Sequence, residues 1–140
     1  MEVQAYQKYV RTSPRKLRLV ADVVRSLPPQ TALVQLKFIN KRAAVHLYKA
    51  LKQAVSNAVN NQGLAVENLK IKQMEIEAGP TLKRWQAVSR GRAHRILKRM
   101  SHIKVVLESR EEEKTSKEDL KENSKHKIRS SKQIQRPKSK

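Results

Sequence analysis

The sequence predicts an α+β domain: a small three-stranded antiparallel sheet packed against about three helices, with a long protruding β-hairpin. Three observations predict it. The chain has 140 residues of which 38% are hydrophobic, enough for one modest core. Apolar residues recur with a 3.6-residue period up to Gln62, then with period two beyond Gly63. Finally, 32 Lys+Arg against 12 Asp+Glu give a net charge of +20 that is unevenly placed along the chain.

The elements follow in chain order. Val3, Ala5 and Tyr9 supply a short strand, the third of the sheet. Ser13-Pro14 reads as an N-cap followed by proline at the first helical position, where a missing N–H costs nothing. Leu17, Val20, Ala21, Val24 and Leu27 then form one apolar stripe, and Pro28-Pro29 ends the helix. Thr31 caps a short second helix with Leu33, Leu36 and Ile39 among its apolar positions, and Asn40 caps a third. That third helix carries Ala44, Leu47, Tyr48, Leu51, Ala54, Val55 and Ala58 on one face, and Gly63 provides the left-handed stop.

Beyond it, Leu69 and Ile71 alternate with lysines, whereas Met74 and Ile76 alternate with Gln73, Glu75 and Glu77. The parity flip near Gln73 predicts a bulge. A further strand runs from about Leu97 to Leu107 with Ile103, Val105 and Leu107 on one face. Between these strands, residues 78–96 are too long for an ordinary hairpin loop. Gly79-Pro80 and Gly91 offer turn chemistry, while Ile76, Leu82, Trp85, Val88 and Ile96 offer apolar anchors, so an extended arm is expected. The globular domain is accordingly set at 1–108, with a charged, disordered tail at 109–140.

The charge follows this division. Residues 1–108 carry 21 basic and 6 acidic residues, and the tail 11 and 6. Lys83, Arg84, Arg90, Arg92, Arg95, Lys98, Arg99 and Lys104 place eight cations within 22 residues, with no acid between Ala78 and Leu107. Such a run repels itself in an isolated chain and is explained by a surface laid against phosphates. Arg11, Arg15, Lys16 and Arg18 surround the first helix N-terminus, where backbone N–H groups also favour anions. Trp85 is either a stacking platform or the arm's own anchor; His94 and His102 lie in the basic arm, where a neutral imidazole can stack on a base or bond a ribose hydroxyl.

Other chemistries lack ingredients. There is no cysteine, hence no disulfide or thiolate metal site. His46, His94, His102 and His126 have no ligand-spaced partner, and Glu75 and Glu77 on one strand face read as a solvated edge. No cofactor, metal or catalytic residue is expected. The longest apolar stretches are a few residues, so no membrane span or secretion signal is read.

The residues also resemble a known family. Glu77-Ala78-Gly79-Pro80-Thr81-Leu82-Lys83-Arg84 and Gly91-Arg92-Ala93-His94-Arg95-Ile96-Leu97-Lys98-Arg99-Met100-Ser101-His102-Ile103-Lys104-Val105-Val106 resemble the two sides of the arm in ribosomal protein L twenty-two, bacterial or organellar type. Ser13-Pro14-Arg15-Lys16-Leu17-Arg18-Leu19-Val20-Ala21 and Asn40-Lys41-Arg42-Ala43-Ala44 match in the same order. The likeness covers roughly residues 3–108. It implies a non-enzymatic constituent of the large subunit that binds ribosomal RNA, aids assembly and reaches the nascent-peptide tunnel with its hairpin tip. It adds Ser101 to the RNA-binding set and makes Gln86, Ala87, Val88, Ser89, Arg90 and Gly91 the tunnel-facing tip. Implied partners are ribosomal RNA, neighbouring proteins including ribosomal protein L four, and the nascent polypeptide, in a cytoplasmic or organellar ribosome. Where the family has Pro-Arg before the tip, this chain has Ala87-Val88, which removes one arginine and the stiffness of proline. The competing function is a general basic nucleic-acid chaperone or nucleoid protein.

Overall fold

The computed structural model describes residues 1–109, which form one unit. The expected tail lies outside the described residues, apart from Ser109, which closes the last strand. The order is β1 (Glu2–Val10), α1 (Pro14–Val24), α2 (Pro29–Phe38), α3 (Arg42–Gln62), a single 3-10 turn (Val66–Asn68), β2 (Leu69–Ala87) and β3 (Ala93–Ser109). The sheet is antiparallel with order β1-β3-β2, so β3 is central.

The strands follow the alternation, with two local departures. Val3 and Ala5 point inward on β1, but the register slips between Gln7 and Val10. Tyr9 takes φ +56° and is 60% exposed, and Val10 is buried in its place. The extra residue of a bulge turns the side chains over. The parity flip near Gln73 is a bulge as expected, since the register shifts between Ile71 and Gln73.

The helix starts differ from the sequence reading. Ser13 occupies the N-cap of α1 and its carbonyl accepts from Lys16 and Leu17, but its hydroxyl makes no cap bond. α1 ends at Val24, ahead of the two prolines. Pro28 is instead the N-cap of α2 and Pro29 its first residue, so Thr31 lies inside the helix rather than capping it. Proline's fixed φ suits that first position, and the Pro-Pro pair starts a helix rather than stopping one. Likewise Lys41, not Asn40, is the N-cap of α3. Gly63 ends α3 at φ +63° as expected.

The core lies between α3 and the sheet, closed by α1 and α2. Ala43, Ala44, Ala50, Ala54 and Ala58 let α3 approach closely, while Leu47 and Leu51 meet the layer of Met74, Ile103, Val105 and Leu107. The outer edge of β2 is occupied by arginines from α1. Arg18 donates from Nε and Nη2 to the Ile76 carbonyl at 3.3 and 2.9 Å, and Arg25 donates to the Met74 carbonyl at 3.2 Å. The acids are held locally: Lys72 bridges Glu2 and Glu108, Glu75 pairs with Lys104, and Tyr6 donates to Glu77. The Lys72 contact holds the Glu2 carboxyl below its usual range.

β1 pairs with β3 only as far as Ser101, so the remainder of the β2–β3 hairpin stands alone as a two-stranded arm. Its register slips between Ala78 and Thr81, at Gly79-Pro80. A Cβ on Gly79 would sit 3.2 Å from His102 Nε2, the Met100 carbonyl carbon and the Ser101 nitrogen, so glycine is needed for this close approach. From Thr81 the pairs run unbroken to Ala87↔Ala93. At about 3.3 Å per residue, that paired stretch extends roughly 20 Å from the body.

Candidate nucleic-acid interface

Three chain segments converge at the root of the arm. Arg11, Thr12 and Ser13 come from the turn after β1, with Lys16 and Leu19 from α1. Lys41, Arg42 and Ala43 come from the start of α3. Leu82, Arg84, Leu97, Lys98, Arg99 and Met100 come from the arm. Together they line a cleft of about 850 Å³ bearing seven cations (Arg11, Lys16, Lys41, Arg42, Arg84, Lys98, Arg99) and no carboxylate. Like charges gathered in a concave site focus a positive field, and a polyanion relieves the repulsion.

The local backbone adds to that field. Neither α1 nor α3 has a side-chain cap bond or an acidic residue in its first turn. The positive ends of both helix dipoles are therefore left uncompensated by this chain. The hydroxyl oxygen of Thr12, also in the lining, is buried without a hydrogen-bond partner.

On the arm, strand pairing sorts the side chains into two faces. Lys83 opposite Leu97 and Trp85 opposite Arg95 lie on one face; Leu82 opposite Lys98, Arg84 opposite Ile96 and Gln86 opposite His94 lie on the other. Both faces are cationic. Trp85 is 69% exposed, which favours the stacking platform over the internal anchor. At the tip, Arg90 and Gly91 have φ of +61° and +69°, the left-handed pair that a tight hairpin turn requires. The Val88 N–H donates to the Arg92 carbonyl at 2.8 Å, and all of Gln86–Gly91 is exposed.

The expected site residues thus divide. Arg11, Lys16, Arg84, Lys98 and Arg99 meet in the cleft, while Arg15, Lys83, Trp85, Arg90, Arg92, His94 and Arg95 are exposed outside its lining. Lys41 and Arg42 join the cleft although sequence spacing gave no reason to place them there; a basic pair where acids usually start a helix was the available signal. Three expected residues have structural employment. Arg18 is committed to the Ile76 carbonyl. Ser101 is fully buried, and its hydroxyl donates to the Thr12 carbonyl at 2.6 Å, tying the cleft's first segment to β3. His102 Nδ1 accepts from the Tyr9 N–H at 3.1 Å, and its ring packs against Tyr6 and Tyr9 at 6.1 and 5.0 Å.

Among the described residues no group of three or more His, Cys, Asp or Glu is placed to hold a metal ion, and no helix is long and apolar enough to cross a membrane. His46, on α3, is held below the usual histidine range by partial burial, with Arg42 and Lys49 adding repulsion.

Sequence comparison agrees with this geometry. The family described as Ribosomal protein L22p/L17e matches residues 5–108, from β1 to the end of β3. The chain belongs to this family of ribosomal proteins. A relative from Mesoplasma florum, named large ribosomal subunit protein uL22, is 44% identical over 107 residues, covering 76% of this chain and 96% of the relative. The match is of the bacterial type and takes in all three segments of the cleft and the whole arm. A ribosomal protein family is a structural class.

Proposed function

We propose that the protein is a structural constituent of the large ribosomal subunit that binds ribosomal RNA through the cleft and both faces of the arm. The observation that carries this reading is seven cations around one cleft without a carboxylate, continued by an arm cationic on both faces. A two-stranded arm satisfies its own backbone hydrogen bonds, so its side chains are free to face RNA on either side. Contacts of this kind go mainly to phosphate, sugar and RNA shape, and hold separate RNA segments together during assembly. The exposed tip, Gln86 to Gly91, is the part that reaches the nascent-peptide tunnel, near ribosomal protein L four. The folded unit performs the binding, in the ribosome of the cytoplasm or an organelle, with the tail as an appendage. No membrane or cofactor enters this role.

The test is co-sedimentation. Full-length protein is expected in large subunits and their precursors, and a version lacking residues 79–95 is expected to lose that association. Recovery only in ribosome-free fractions would overturn the proposal. Equal affinity for duplex DNA and ribosomal RNA, with no need of the arm, would favour a general nucleic-acid chaperone.

A further inference from the structure

Phosphate binding leaves one property of the cleft unused: its floor is apolar. Leu19 is 59% exposed and Leu82 36%, and both lie in the lining between the cations. Exposed leucines gathered in a concave site cost free energy in water, and a polyphosphate backbone gains nothing from them. The cleft volume, about 850 Å³, falls within the ~300–1,000 Å³ typical of sites for single small ligands. A duplex cannot use such a floor, because its bases are stacked inside and it presents only backbone and groove edges.

We propose that the cleft receives one unstacked nucleobase from a single-stranded bend of the RNA, laid against Leu19 and Leu82, with its flanking phosphates on the cationic rim. This rests on the RNA-binding reading above and specifies what part of the RNA enters. An apolar side chain of a neighbouring protein would suit the floor, but not a rim of seven cations with no carboxylate. A splayed nucleotide suits both, since it brings a flat apolar face and a negative charge on each side. The contact selects an RNA shape: a bend with one base free to leave the stack.

The experiment places a diazirine analogue of leucine at position 82 and, separately, at position 19 of the full-length chain. Both are conservative changes at exposed sites. Large subunits carrying each version are irradiated, and crosslinks to their RNA are mapped to single nucleotides. Both positions are expected to label the base of the same unpaired nucleotide. In subunits carrying Leu19→Ser with Leu82→Ser, base-specific chemical modification of that nucleotide is expected to rise about tenfold, while its neighbours' backbone protection persists. Crosslinks to paired nucleotides, crosslinks to a protein, no crosslink from an incorporated chain, or unchanged base reactivity would each overturn the proposal while leaving RNA binding intact. A chain absent from subunits altogether would overturn both readings.

Discussion

Ser101 offers a sharp division between a structural and an RNA-contacting role. Its hydroxyl is fully buried and donates to the Thr12 carbonyl at 2.6 Å, across 89 residues of chain. Ser101→Ala removes that donor and leaves a part-buried carbonyl short of a partner, while the methyl side chain adds no bulk. Loss of a neutral hydrogen bond with its acceptor left unpaired costs about 1–3 kcal/mol. With a urea m-value of about 2 kcal/mol/M, the middle of the usual range for small domains, the midpoint should fall by roughly 0.5–1.5 M, with m unchanged. The assay is urea unfolding of the free full-length protein, followed by circular dichroism. RNA affinity should then fall only modestly, because the Thr12–Ser13 side of the cleft is loosened rather than stripped of charge. An unchanged midpoint combined with a large loss of RNA affinity would refute the reasoning, since that is the result expected of a serine that contacts RNA directly.

Other outcomes follow from single features. Lys98→Ala in the cleft should leave stability within about 0.5 kcal/mol, yet make the slope of log affinity against log salt shallower by about 1, as measured by filter binding over a salt series. Gly79→Ala should destabilise by about 1–3 kcal/mol in a thermal melt, because two of the three atoms 3.2 Å from the new Cβ are backbone. His46 has a folded-state pKa below its unfolded value, so the unfolded chain takes up the proton first. Its contribution to stability is therefore present above the usual histidine range and lost as pH falls through that range toward the lower folded value. Urea midpoints of the wild type and His46→Gln, compared from pH 8 to pH 5, should converge or cross as the wild type loses this contribution; parallel curves would count against it.

Much of the fold could be read from side-chain period alone. The stripe Leu17, Val20, Ala21, Val24 is buried as expected, and the flip from Ile71 to Met74 is a bulge. The errors arose where one residue type serves two purposes. Pro28-Pro29 carries the same lack of N–H whether it stops one helix or starts the next, and α1 had already ended at Val24. Tyr9 fits an alternating strand until a bulge rotates it outward, a local event without a glycine to announce it. The arm was legible because its cations cluster within one acid-free stretch of sequence. The cleft was legible only in part, because Arg11, Lys41 and Lys98 are brought together by tertiary folding, and chain distance hides their proximity. Ser101 and His102 show a converse difficulty: residues in a specific family motif also serve the scaffold, Ser101 through its bond to the Thr12 carbonyl and His102 through the Tyr9 N–H, and a motif does not tell such roles apart.

The arginines along β2 bear on the protein before it meets RNA. A copy in a concentrated pool faces others with the same sheet, and an open strand edge is a template on which sheets add to one another. On the body that route is obstructed, because the Met74 and Ile76 carbonyls already accept from Arg25 and Arg18 and any incoming strand must displace them. The arm has no such cover along its free edges. What keeps two arms from zipping together is the mutual repulsion of Lys83, Arg84, Arg90, Arg92, Arg95, Lys98 and Arg99. On the proposed function the same cations act in turn, first as spacers between unassembled copies and then as the means by which RNA withdraws each copy from the pool.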